Sequence, residues 1–88
     1  MRVIISPRAE KQLKKISKID QISITSKIRN LKEQVQIQHV EKLERYKNIY
    51  RIRVGDFRIV YRKTKDEIYI VLIGHRKDIY DLLRRLVR

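Results

Sequence analysis

The twelve residues from Tyr50 to Tyr61, YRIRVGDFRIVY, constrain the fold more than any other stretch of the chain. Gly55-Asp56 separates two runs in which apolar and basic residues alternate. A Gly-Asp pair in that setting predicts a β-hairpin closed by a two-residue loop. The loop then sets the register: Val54 faces Phe57, Arg53 faces Arg58, Ile52 faces Ile59 and Tyr50 faces Tyr61. Successive side chains of a strand point to opposite faces. Tyr50, Ile52, Val54, Phe57, Ile59 and Tyr61 therefore share one side, and Arg51, Arg53, Arg58 and Arg62 share the other. Like charges facing each other across a sheet are destabilising. A fold that keeps Arg53 against Arg58 is expected to hold an anion there.

The rest of the chain supplies elements to cover the apolar side. Arg2 to Ile5 predicts a first strand. Ser6-Pro7 predicts a helix start, with serine as the N-cap and proline in the first turn. Ala9, Leu13 and Ile16 then recur at helical spacing, so this helix is expected to end near Ile16 or Lys18. Asp20 is the expected cap of a second helix with Ile24, Ile28, Leu31 and Val35 as its buried stripe. Gln36 to Asn48 has no periodicity and predicts a connection anchored by Leu43. Lys65-Asp66 ends the second hairpin strand, and Glu67 to Gly74 is nearly continuous apolar, as in a strand covered on both faces. Ile79, Leu82, Leu83 and Leu86 predict a short helix from about Lys77. The order is β-α-α-β-β-β-α, an α+β domain with its helices packed on one face of an antiparallel sheet.

At 88 residues the chain is expected to form a single domain, residues 1–88. It carries 23 Lys+Arg against 10 Asp+Glu, a net charge of +13. Small soluble domains usually carry a net charge of about 2–8 in magnitude, so the excess points to a polyanionic partner. Cysteine is absent, which removes disulfides and thiol chemistry and fits a reducing compartment. No signal-peptide pattern and no long apolar run appears, so a soluble, cytoplasmic protein without a membrane partner is expected. His39 and His75 are far apart in sequence and neither accompanies a carboxylate cluster, so no metal or cofactor is expected.

A second basic cluster follows the last predicted strand: Gly74-His75-Arg76-Lys77, with Tyr80 just beyond. If the strands are sequential neighbours, this cluster ends beside the arginine hairpin and completes a shallow cationic groove. Arg53, Arg58 and Arg76 are the expected catalytic cations, since guanidinium groups can stabilise charge that builds on a phosphoryl group. Arg51, Arg62 and Lys77 are expected to bind phosphate. Tyr80 could stack on a base. His75 is suited to proton transfer near neutral pH. Glu44 is a further possible base, without a feature that locates it.

These residues resemble the RelE-like branch of the RelE/ParE superfamily of small bacterial and archaeal toxins. SPRAEKQLKKI is similar to the first helix of such toxins, KLERYKNIYRIRVGDFRIVYR to their central hairpin, and VLIGHRKDIY to their last strand and turn. The resemblance implies a type II toxin–antitoxin toxin acting as a ribosome-dependent mRNA endoribonuclease. It implies cleavage of the A-site codon by the RNA's own 2′-OH, leaving a 2′,3′-cyclic phosphate. It also implies a cognate acidic, RelB-like antitoxin bound in a hetero-oligomeric complex, and the ribosome and mRNA as further partners. Arg51 and Arg53 fall where such toxins carry two basic strand residues, often lysines. Arg58 falls at the hairpin arginine, Arg76 at the arginine after the last strand, and Tyr80 near a late tyrosine. Arginine is a poor base, its pKa exceeding about 12. The general base therefore stays open between His75, Tyr80 and a ribosomal group. Two other functions remain: a ParE-like inhibitor of DNA gyrase without nuclease activity, and a basic nucleic-acid-binding module without catalysis.

Overall fold

The computed structural model describes residues 1–34 and 39–86. Its elements are β1 (Arg2–Ile5), α1 (Pro7–Lys14), α2 (Lys18–Lys32), β2 (Val40–Lys42), β3 (Ile49–Val54), β4 (Phe57–Lys63), β5 (Glu67–His75) and α3 (Ile79–Leu86). The five strands form one sheet in the order β1-β5-β4-β3-β2.

The hairpin has the register that its loop dictates. Val54 pairs with Phe57, Arg53 with Arg58, Ile52 with Ile59 and Tyr50 with Tyr61. Gly55 makes the reversal possible with φ of 59°, a conformation that costs a residue with a side chain more than glycine. The pairings from β2 to β5 are antiparallel. β1 differs from the antiparallel expectation: it joins the edge of β5 in parallel. A parallel pair needs a long crossover, and the intervening helices and hairpin strands supply it.

Ser6 caps α1 as its sequence suggests, its hydroxyl accepting from Ala9 N at 3.0 Å. This helix ends at Lys14, a little sooner than expected. The cap of α2 is Ser17 rather than Asp20. Ser17 has the extended backbone an N-cap requires, and its hydroxyl accepts from Asp20 N and donates to the Asp20 carboxylate at 2.9 Å. Asp20 thus lies inside the first turn, where a carboxylate favours the helix dipole. The stretch expected to be a bare connection contributes β2, which pairs Val40 with Ile52, Glu41 with Arg51 and Lys42 with Tyr50. It is a three-residue edge strand, too short for periodicity to reveal. Val35 lies outside the described residues.

Both faces of the sheet are used, where one was expected. Ala9, Ile24, Ile28 and Leu31 from α1 and α2 bury one face, against Ile52, Ile59, Tyr61, Ile68 and Ile70. On the opposite face α3 lays Ile79 and Leu83 on Ile49, Val60 and Leu72. Val60 is the one apolar residue among the β4 arginines, and α3 takes its place on the sheet there. Leu86, expected in the buried stripe, is exposed. Gly74 lets α3 approach: a Cβ at that position would lie 3.2 Å from Ile79 Cδ1 and 3.5 Å from Leu82 Cδ1.

One irregularity governs the end of β5. Val60 pairs with Leu72 but Tyr61 pairs with Ile70, so Val71 is an extra residue. Such a β-bulge reverses the inward–outward phase of everything beyond it. Ile68 and Ile70 face α1 and α2, as does Ile73, whereas Leu72 faces α3.

Candidate nucleic-acid interface

The arginine face gathers where β3, β4 and the start of α3 meet. Arg53 and Arg58 are cross-strand partners. The Arg58 guanidinium turns back on the hairpin loop and donates to Gly55 O at 3.0 Å and Phe57 O at 2.9 Å. Arg76 reaches the same loop, its N–H donating to Asp56 O at 2.8 Å and its Nε lying 3.8 Å from the Asp56 carboxylate. Desolvation by burial, and then the charges of Arg51, Arg53 and Arg76, hold the Arg58 pKa below its ordinary value, while Asp56 opposes them. The four arginines therefore share one electrostatic field and gain if an anion enters it.

Arg51 is half-buried. Its side chain is 22% exposed and pairs with the Glu41 carboxylate from β2. Its guanidinium carbon lies 5.6 Å from the centre of the Tyr80 ring. Its Nε is buried and has no partner among the described residues. Tyr80, in the first turn of α3, remains 40% exposed. The site thus includes a cation held between a carboxylate and an aromatic ring that still offers surface to a ligand. Glu41 escaped the sequence reading because β2 was not legible. VEK is apolar-polar-polar and carries no alternation that could have revealed it.

The remaining expected residues are placed elsewhere. His75 pairs with Phe57, and the two rings meet edge to face at 5.9 Å between centroids. Phe57 packs toward α1 and α2, so His75 faces away from the arginines. Plain alternation along β5 would have turned His75 to the arginine face; the extra residue Val71 turns it to the other face. Its Nδ1 accepts from Lys77 N at 3.2 Å, a local bond that shapes the turn into α3. Lys77 is exposed in that turn. Arg62 stands apart too. It pairs with Tyr69, its guanidinium carbon 5.4 Å from that ring, with α3-covered Val60 between it and Arg58 along β4. Glu44 lines a small cleft of about 120 Å³ beside Tyr80, together with Leu43, Tyr46 and Leu83.

Larger clefts of about 520 and 560 Å³ lie along α1 and beside α2, away from the arginines. The arginine surface is open, which suits a polymer laid across it better than an enclosed small molecule. Among the described residues no group of three or more His, Asp or Glu side chains could hold a metal ion. None of the described helices is long and apolar enough to cross a membrane.

Known proteins are similar to this chain in sequence and in fold. The family model described as the ParE toxin of the type II toxin–antitoxin system, parDE, matches residues 3–80. Toxin RelE3 of Methanocaldococcus jannaschii is 45% identical over 42 residues, a match that spans 48% of this chain and 48% of that toxin. The toxin fold in the crystal structure of a RelB–RelE antitoxin–toxin complex from Methanococcus jannaschii superposes with a TM-score of 0.77 at 28% identity, covering 90% of this chain and 96% of that one. An archaeal RelE–RelB complex from Pyrococcus horikoshii gives a TM-score of 0.67 at 26% identity over 85% and 93% of the two chains. A family match over most of the length, together with a sheet and helices superposable on RelE, leads to one assignment: the chain belongs to the RelE-like branch of the RelE/ParE superfamily of type II toxin–antitoxin toxins.

Proposed function

We propose that this protein is a ribosome-dependent mRNA endoribonuclease that arrests translation in the cytoplasm. The observation that carries this reading is the convergence of Arg51, Arg53, Arg58 and Arg76 on one open face beside Tyr80 and Glu41. In the reaction the 2′-OH of one nucleotide attacks the adjoining phosphorus. The bond to the 5′-oxygen of the next nucleotide breaks and a 2′,3′-cyclic phosphate remains. Negative charge builds on the phosphoryl oxygens as this happens. Arg58, fixed by the loop carbonyls, and Arg76 and Arg53 beside it are positioned to stabilise that charge.

Arginines do not remove the 2′-OH proton at neutral pH. Glu41 is the carboxylate on the same sheet face, paired across β2 and β3 with Arg51, and we assign it the role of general base. Tyr80 is assigned to stacking on a base of the bound strand, with Arg51 behind it. The proton for the leaving 5′-oxygen then comes from water or from the ribosome. His75 has no part in this scheme, since its ring is directed to the other face.

The same open cationic surface suits an inhibitor of opposite charge. The solved relatives from Methanococcus jannaschii and Pyrococcus horikoshii are RelB–RelE complexes. By that analogy this toxin is held in check by an acidic RelB-like antitoxin, whose association should be fast and salt-sensitive. A second reading is a gyrase-directed toxin, favoured by the parDE description of the matching family model. The two separate in one experiment. The purified chain is added to a reconstituted translation reaction and to a gyrase supercoiling reaction. Cleavage of mRNA only when it is being translated, lost in Arg58→Ala, supports the nuclease. Blocked supercoiling with intact mRNA refutes it.

A further inference from the structure

The bulge at Val71 decides which residues at the end of β5 reach the arginine face, and a regular strand would not contain it. Two polar side chains from the other end of the chain are bonded to it. The Ser6 hydroxyl donates to Val71 O at 2.9 Å. The Gln12 side-chain oxygen accepts from Ile73 N at 2.8 Å, across 61 residues of sequence. These are backbone groups on either side of the irregularity, where the extra residue interrupts the ladder. Ser6 N also donates to Ile70 O at 3.0 Å, so contacts from the start of the chain bracket the bulge from Ile70 to Ile73. Ser6 is 5% exposed, and buried backbone groups left without partners are costly.

We propose that Gln12 and Ser6 are positioning residues for the arginine site, acting by holding the Val71 bulge in place. Beyond the bulge, Gly74 lies opposite Arg58 and admits α3, so Tyr80 meets Arg51 and Arg76 reaches Asp56. If β5 slipped by one residue to pair without the bulge, Ile73, Gly74 and His75 would change faces. His75 would turn toward Arg58, and a residue with a large side chain would replace Gly74 beneath α3. Gln12 touches neither the arginines nor Tyr80, so its influence on them passes through the strand. The consequence for catalysis rests on the nuclease reading, whereas the consequence for the strand does not.

The test compares Gln12→Leu, which lacks the acceptor, with Gln12→Glu, which keeps an oxygen acceptor. Amide hydrogen exchange at Ile73 and the His75–Phe57 ring contact are read by NMR, and RNA cleavage is read in the translation reaction. In Gln12→Leu, exchange at Ile73 should rise about tenfold, as expected for loss of one buried hydrogen bond. The His75–Phe57 contact should weaken and cleavage should fall, and Gln12→Glu should restore all three. A second variant guards against misfolding. Deleting Val71 leaves a strand whose neighbours keep their present faces without a bulge, so adding Gln12→Leu to that deletion should then have no effect on the ring contact. Unchanged Ile73 exchange and an intact His75–Phe57 contact in a folded Gln12→Leu protein would overturn the proposal. So would an equal effect of Gln12→Leu on the His75–Phe57 ring contact with and without Val71. A wild-type protein that cleaves no RNA, with the NMR results as expected, would uphold the clamp and overturn the nuclease reading alone.

Discussion

Replacing Arg53 with glutamine should make the protein more stable while making it a worse toxin. Arg53 is exposed and faces Arg58 directly across the hairpin. Facing side chains on paired strands begin about 5 Å apart at their Cβ atoms. The guanidinium groups lie at the far ends of these side chains, and for a charge separation of about 5–8 Å the repulsion is about 0.5–0.8 kcal/mol in water-like surroundings. The substitution keeps Arg58's bonds to Gly55 O and Phe57 O, so the loss of the Arg53 charge does not disturb how Arg58 is held. A gain of about 0.5–1 kcal/mol is therefore expected at low salt. For a domain of this size that corresponds to a rise in Tm of roughly 3–6 °C. Urea is the right denaturant because it leaves ionic strength unchanged. Unfolding is followed by circular dichroism at about 20 mM and about 1 M sodium chloride, the latter reducing the Debye length to about 3 Å. The gain should be present at low salt and mostly absent at high salt. Added sulfate should stabilise the wild type more than the variant, since an anion bound only by the folded state adds to its stability. A variant that is less stable at low salt, or a gain indifferent to salt, would refute the idea that repulsion on this face is stored for an anionic ligand.

Other outcomes follow from the same geometry. Arg58→Ala and Arg76→Ala should each strongly reduce growth arrest while leaving cooperative unfolding intact, and full arrest by a folded double variant would show that the working site lies elsewhere. Glu41→Gln should slow cleavage with little loss of RNA affinity, a split read by comparing single-turnover rates with oligonucleotide binding. Burial, and then the neighbouring Tyr50, raise the Tyr61 pKa from 10.0 to about 12, so the fold favours the protonated phenol. Stability from this group is intact below pH 10 and is lost as pH rises through 10 to 12, by up to about 3 kcal/mol. Tyr61→Phe should flatten that alkaline loss in pH-dependent urea unfolding. Gly74→Val should cost about 1–3 kcal/mol by crowding Ile79 and Leu82, and fluorescence or NMR of Tyr80 should report its displacement from Arg51.

Local chemistry explains why much of the fold was readable. Gly55-Asp56 admits a short loop, and a two-residue loop leaves one register, so the pairing of Arg53 with Arg58 follows from sequence. Ser6-Pro7 marks a helix start for reasons internal to that turn. The cap of α2 was misplaced by three residues because Ser17 and Asp20 both suit a helix start, and only the backbone at Ser17 distinguishes them. β2 was invisible because three residues carry too little periodicity, and with it went Glu41.

The sequence by itself determined the hairpin, its four arginines on one face and the elements available to cover the other. Those depend on alternation and loop length, which act over a few residues. Tertiary structure alone decided which later residues join the arginines. Val71 is an ordinary member of an apolar run, and nothing in EIYIVLIGH marks it as extra. It becomes a bulge because Val60 pairs with Leu72 and Tyr61 with Ile70, while Ser6 bonds Val71 O and Gln12 bonds Ile73 N from far away in the chain. Because strand side chains alternate with a period of two, that single residue sends His75 to Phe57 and sets Gly74 against Arg58.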